Sequence, residues 1–151
     1  MADTTKILVL NGPNLNMLGM REPGIYGSLT LGDIQAKCQS LCDANALTME
    51  WMQSNSEATL IEKIHEACSV TDWIIINAAG LTHTSVALRD ALALFPGNVI
   101  EVHLSNTHAR ETFRHTSLIS AVAKGFVAGF GASSYTMAIT AIIDADSITE
   151  S

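Results

Sequence analysis

Two short stretches of the chain carry side-chain types that could move protons. In Val99-Ile100-Glu101-Val102-His103-Leu104 a carboxylate and an imidazole stand two residues apart in an otherwise apolar run. Along a strand, that spacing puts both on one face. A carboxylate beside an imidazole fixes its tautomer and raises its basicity, which suits a general acid–base residue. A structural ion pair at a strand end fits the same pattern. The second stretch runs from Arg21 to Gly27 and joins a guanidinium to the phenol of Tyr26. A phenol has an ordinary pKa of about 10, so roughly one in a thousand is ionised at neutral pH, and making it a base takes about 4 kcal/mol of stabilisation. Arg21, on the same loop, is the natural source of that stabilisation. The alternative is an aromatic anchor that packs a surface loop.

Strand and helix patterns alternate along the chain and decide where these residues fall. Ile7-Leu8-Val9-Leu10 is an apolar run closed by Asn11-Gly12-Pro13-Asn14, which reads as a buried strand opening into a loop. Thr30 and Asp33 form a capping-box pattern ahead of Leu31, Ile34, Cys38 and Leu41 at helical spacing. Leu47 to Gln53 alternates, with Leu47, Met49 and Trp51 on one face. Ser56 can cap a helix carrying Leu60, Ile61, Ile64 and Cys68. Trp73-Ile74-Ile75-Ile76 is continuous, as expected of a central parallel strand. Thr84 or Ser85 opens a helix through Leu94, ended by Pro96-Gly97. Val99–Leu104 is the fourth strand, Gly125–Phe130 a fifth, and Ser133 starts a helix through Ile143. The acidic tail from Asp144 to Ser151 is expected to fray. The pattern predicts one domain over residues 1–151, an α/β fold with a doubly wound parallel sheet, and we choose the flavodoxin-like order 2-1-3-4-5.

On that frame the unusual polar residues gather at the carboxyl edge of the sheet, where open α/β sheets bind ligands. Asn14, Arg21 and Tyr26 follow strand one, and Asn77 ends strand three. His83 stands at the entrance to the next helix, as a helix-start donor or a ligand contact. Glu101, His103, Ser105 and Asn106 lie at or beyond the end of strand four. Asp90 and Arg89 sit on the helix between, where a solvated face is the simpler reading. The chain has four arginines, Arg21, Arg89, Arg110 and Arg114, and three of them fall near this edge. An acidic protein that concentrates guanidinium groups at one cleft is suited to a small anion there, although arginines scattered over the surface would read alike. The net charge of −7 argues against a nucleic-acid partner. No apolar run approaches the length of a membrane span, and the N-terminus lacks the pattern of a signal peptide. Cys38, Cys42 and Cys68 read as reduced core residues of a cytoplasmic protein, with no companion pair to complete a metal site.

Three stretches, LVLNGPNLNMLGMREPGIYG, INAAGLTHTSVALRDAL and EVHLSNTHARETFRH, with FVAGFGASSY as a weaker fourth, closely resemble the type II 3-dehydroquinate dehydratases of the shikimate and quinate pathways. The resemblance implies a flavodoxin-like fold, a homododecamer of four trimers, and no cofactor or metal. It implies that Tyr26, as phenolate, takes a proton from the carbon beside the substrate ketone while Arg21 depresses its pKa and steadies the enolate. Asn14 would hold a water near the enolate oxygen, and His103, oriented by Glu101, would protonate the departing hydroxyl. Substrate contacts carry over to Asn77, His83, Asp90, Leu104, Ser105 and Arg114, and the stretch from about Met20 to Gly27 would close as a lid. Thr116 stands where the family often has histidine and Ser134 where it often has glycine, both outside this set; Leu81 and the Ala78-Ala79 pair are further variations near the cleft.

Other uses of such a fold fit less well. A flavin or nucleotide binder would want a Gly/Ser/Thr phosphate cradle after strand one, and Asn-Gly-Pro-Asn-Leu-Asn is a poor one. A phosphorylated receiver domain would need an aspartate where Asn77 stands. Schiff-base dehydration needs a reactive lysine, and Lys6, Lys37, Lys63 and Lys124 lie apart from the other candidate groups.

Overall fold

The computed structural model describes residues 4–20 and 28–150; Arg21 and Tyr26 lie outside the described residues. Five strands, β1 (Lys6–Asn11), β2 (Thr48–Gln53), β3 (Trp73–Asn77), β4 (Asn98–His103) and β5 (Gly125–Ala128), form one sheet. Its order is 2-1-3-4-5 and every pairing is parallel. Among the described residues four α-helices cover it: α1 (Leu31–Ala44), α2 (Glu57–Ala67), α3 (Val86–Leu94) and α4 (Ser133–Glu150).

Strand alternation divides the core. Ile7, Val9, Ile75, Ile100 and Val102 pack with Ile34, Cys38 and Cys42 of α1 and with Tyr135, Ala138, Ile139 and Ile142 of α4. Leu8, Leu10, Ile74, Ile76 and Val99 face the other way, onto Leu60 and Ile64 of α2 and Leu88 and Leu92 of α3. A strand buried on both faces has no polar side to show, which is why β1 and β3 read as unbroken apolar runs. Cys38 and Cys42 are core residues, and burial first, then each one's neighbour, pushes their thiols up to about 12 and about 11. They are poor metal ligands in that state.

The helix starts follow their sequence signals. Thr30 Oγ1 accepts from Asp33 N–H at 3.1 Å and Asp33 Oδ2 accepts from Thr30 N–H at 2.9 Å, a complete capping box. Ser56 and Ser85 cap α2 and α3 through Thr59 N–H and Leu88 N–H. Two expectations shift. Helix α4 runs past Ile143, where the apolar pattern stops, to Glu150, and Asp146 accepts from Thr5 Oγ1 at 2.5 Å. The β4–β5 connection carries no α-helix but three 3-10 turns, Thr107–Ala109, Thr112–His115 and Ser120–Val122. Its apolar residues gather mainly in the short run from Leu118 to Ala123, where Ile119 is buried in the core, too short a stripe to hold an α-helix on the sheet.

At the carboxyl rim the strands end level with one another. Asn11 pairs with Gln53 and Asn77, and His103 with Ala128. Gly12 lets two of the rim loops touch: a Cβ there would lie 2.6 Å from the Ala78 carbonyl oxygen, and Gly12 N–H donates to Asn77 O at 2.8 Å.

Candidate active site

The residues that line a cavity of about 150 Å³ over this rim come from the ends of β3 and β4 and from the loops that follow β1, β3 and β4. Asn14 reaches it from the first loop, in the left-handed conformation (φ 71) that asparagine tolerates, with its N–H on Asn55 Oδ1 at 2.9 Å. Asn77 and Ala79 form part of the floor, and His83, His103, Ser105, Thr107, Arg110 and Arg114 the polar wall, with Leu104 beside them.

His103 and Glu101 face the same way from β4, as their spacing requires, and His103 Nε2 lies 2.6 Å from Glu101 Oε2. Both are buried, with 7% and 1% of their side chains exposed. Burial alone would raise the Glu101 carboxyl, but the hydrogen bonds from His103, Ser120 and Ser117 and the His103 charge outweigh it and hold the group below the ordinary carboxylate range. Nε2 is committed to the carboxylate, so Nδ1 is the ring nitrogen left for a ligand. A second cavity of about 360 Å³ reaches the pair from behind and is lined by Glu101, Ser117 and Ser120 among others.

His83 Nδ1 lies 2.8 Å from Thr116 O. A carbonyl can only accept, so Nδ1 carries a proton and Nε2 is the ring nitrogen left for a ligand. Thr116 thus contributes a backbone oxygen. Leu104 O is taken by Gly131 N–H at 2.9 Å, and Ser105 Oγ accepts from Arg110 Nη1 at 3.3 Å. What Leu104 and Ser105 offer a ligand is therefore N–H and a hydroxyl proton. Arg114 is held by Glu111 Oε1 (3.1 Å from Nε) and lies 4.8 Å over the Phe113 ring. Glu111 also lies 3.7 Å from Arg110 Nε, and the Arg114 hydrogen bond, with smaller help from Arg110, keeps its carboxyl low.

Below the floor runs a chain of buried hydrogen bonds absent from the sequence reading. Ala79 N–H donates to Asn77 Oδ1 (3.1 Å), Asn77 Nδ2 to Tyr135 Oη (3.0 Å), Tyr135 O–H to Asn11 Oδ1 (2.6 Å), and Asn11 Nδ2 to Met52 O (3.1 Å). Ser134 is buried and accepts from Phe130 N–H at 3.1 Å.

Most of the predicted site residues meet here: Asn14, Asn77, His83, His103, Leu104, Ser105 and Arg114 share the cavity, and Glu101 lies directly behind. Asp90 does not; it is exposed on α3 and lines neither cavity. Arg110 was visible only as one of the rim arginines. Ser117 and Ser120 had no signal, because they lie 16 and 19 residues beyond Glu101 on irregular backbone.

Fold and site together define a flavodoxin-like α/β protein with an acid–base pair at the carboxyl rim of its sheet, opening on a cleft with guanidinium groups. Comparison with known proteins agrees. The family model described as dehydroquinase class II matches residues 5–143. A 3-dehydroquinate dehydratase of Aeromonas hydrophila is 54% identical over 143 residues, covering 95% of this chain and 96% of the relative. The crystal structure of a type II dehydroquinase from Butyrivibrio crossotus superposes with a TM-score of 0.90 at 43% identity, over 93% of this chain and 98% of that one. Its counterpart from Propionibacterium acnes gives 0.90 at 40% identity, over 95% and 99%. The chain belongs to the class II dehydroquinase family.

Proposed function

We propose that this chain dehydrates 3-dehydroquinate to 3-dehydroshikimate without a cofactor, as a step of the shikimate or quinate pathway. The observation that carries this reading is the buried His103–Glu101 pair facing a small cleft that also holds Arg110 and Arg114.

A proton beside a ketone is too weakly acidic for an unaided base, so negative charge on the enolate oxygen must be stabilised. Membership of the family points to Tyr26 as the base, and the other tyrosine is ill suited to the role. Tyr135 is fully buried and burial raises its pKa, with Cys38 adding to the rise and the Asn77 hydrogen bond working against it. Its hydroxyl is also committed to Asn11 and Asn77. Tyr26 is the remaining phenol, with Arg21 to favour its ionised form and Asn14 to hold a water against the enolate oxygen. In the second step the enolate electron pair forms the carbon–carbon double bond and the carbon–oxygen bond to the hydroxyl breaks. His103 gives that oxygen its Nδ1 proton, water leaves, and the ring stays tethered to Glu101 by Nε2–H.

His83 Nε2 suits a substrate hydroxyl, and the Leu104–Ser105 N–H groups and Ser105 hydroxyl suit a carboxylate. Asn77 still has an amide proton beyond the one given to Tyr135, and Arg114 adds charge. Asp90 lies outside the cavity of its own chain, so it would serve as a substrate contact only from a second copy. That ties its role to the proposed assembly of four trimers. Support for assembly comes from apolar side chains left in the open: Val86 and Leu94 on α3, Phe126 on the edge strand β5, and Phe130. Free cysteines, with Cys38 and Cys42 buried, accord with a cytoplasmic enzyme, and no described helix is long and apolar enough to cross a membrane.

Dehydration conjugates an enone with a carboxylate, so ultraviolet absorbance follows the reaction. With 3-dehydroquinate the protein should produce that absorbance, and borohydride treatment should leave the rate unchanged, because no lysine lines the cleft. A folded protein that produces no absorbance, or one inactivated by borohydride, would overturn the proposal.

A further inference from the structure

We propose that Ser117 and Ser120 are positioning residues for the reaction, holding Glu101 as an oriented carboxylate so that His103 keeps its Nδ1 toward the substrate. The inference rests on the reading of His103 as the acid and extends it one contact deeper.

Three donors converge on Glu101. His103 Nε2 lies 2.6 Å from Oε2, Ser117 Oγ lies 2.9 Å from Oε2 and 3.0 Å from Oε1, and Ser120 Oγ lies 2.5 Å from Oε1. Ser117 decides the protonation state this site accepts. Its oxygen already accepts from Ile119 N–H at 3.0 Å and Ser120 N–H at 3.1 Å, which uses both lone pairs. It can only donate to Glu101. A neutral carboxyl would bring its own proton into a ring of donors, whereas an ionised one satisfies all of them.

Ser120 supplies a second argument. It is an exposed residue on a surface 3-10 turn, with no packing reason to turn inward, yet its hydroxyl reaches a carboxylate that is 1% exposed. The two serines share one short loop, and the Ser117 Oγ bonds to the following N–H groups set that loop's shape, so both hydroxyls arrive at the carboxylate together. On the other side the His103 ring rests against Phe126, with centroids 5.6 Å apart. The carboxylate is thus held from behind and the imidazole from the flank. The other charged or titratable groups around the second cavity are His83, His108, Arg114 and His115.

The test compares Ser120→Ala, the double variant S117A/S120A and Ser120→Thr in two measurements. Steady-state kinetics on 3-dehydroquinate should show kcat in the double variant down by about tenfold to a hundredfold, the scale of a supporting contact to a catalytic group, with KM within about twofold. Ser120→Thr keeps the hydroxyl and sends its methyl toward solvent, so it should restore wild-type kcat. Infrared titration with 13C-labelled glutamate should show one carboxylic-acid band that appears at higher pH in the double variant than in the wild type, and not in Ser120→Thr. An unmoved band in the double variant overturns the proposal, as does a Ser120→Thr loss equal to that of Ser120→Ala. A wild-type protein inactive on 3-dehydroquinate would instead sink the functional reading, and the infrared titration would still decide the clamp.

Discussion

Tyr135 shows how one buried hydroxyl can hold two strands and a helix in register. Its O–H points at Asn11 on β1 and it accepts from Asn77 on β3, in the middle of a chain in which every donor and acceptor points the same way along the sequence of bonds. Such chains strengthen cooperatively, and breaking one in the middle strands a partner on each side. Tyr135→Phe leaves Asn11 Oδ1 and one Asn77 N–H unpaired in the interior, which costs about 1–3 kcal/mol. Thermal unfolding should show a Tm lower by about 2–4 °C for each kcal/mol, and KM should rise as Asn77 loses its orientation. An unchanged Tm would mean that water takes the place of the hydroxyl. At this scale the sequence was legible where chemistry followed a period. Glu101 and His103 share a face because strands repeat every two residues, and no structure was needed to pair them. Tyr135, Ser117 and Ser120 reach the site across long separations, which spacing does not encode, and Asp90 carried over from resemblance lies outside the cavity of its own chain.

Elements were more legible than their joints. The capping box at Thr30 and the serine caps of α2 and α3 stand where the sequence put them, because caps are local hydrogen bonds between near neighbours. The end of α1 is a joint that sequence alone misses. Leu47 N–H reaches back to Cys42 O at 2.9 Å, closing the helix through Ala46 at φ 55, a conformation that normally selects glycine. Left-handed backbone costs an alanine roughly 1–2 kcal/mol, and a glycine there loses about 0.5–1 kcal/mol of that benefit through its freer unfolded chain. Ala46→Gly should therefore stabilise the protein by about 0.5–1 kcal/mol and raise Tm by about 1–4 °C. Since Ala46 is exposed at the amino edge of the sheet, kcat and KM should not move. A fall in Tm would show that the left-handed joint carries no strain. Ala79 has the same strained backbone (φ 53), but at the cavity floor, where strain accompanies function. The β4–β5 connection was illegible for the opposite reason: its apolar residues gather mainly in one short run around the buried Ile119, and the rest is largely polar and irregular.

Across the whole molecule, net charge and sheet topology act together. A chain of net charge −7 keeps Arg110 and Arg114 at the one rim where β1, β3 and β4 end, so the cleft offers positive charge against an acidic background. Alternation of strands and helices allows several strand orders; in 2-1-3-4-5, β1 and β3, the strands most apolar on both faces, lie inside the sheet. The apolar side chains left exposed on α3 and β5 give association with further copies a surface to cover. The most direct measurement is kcat on 3-dehydroquinate for Tyr26→Phe beside Tyr135→Phe. The account predicts a loss of about a thousandfold or more for Tyr26→Phe, the scale of a general base, and a kcat within tenfold of wild type for Tyr135→Phe. Near-normal turnover by Tyr26→Phe, or a loss confined to Tyr135→Phe, would contradict it.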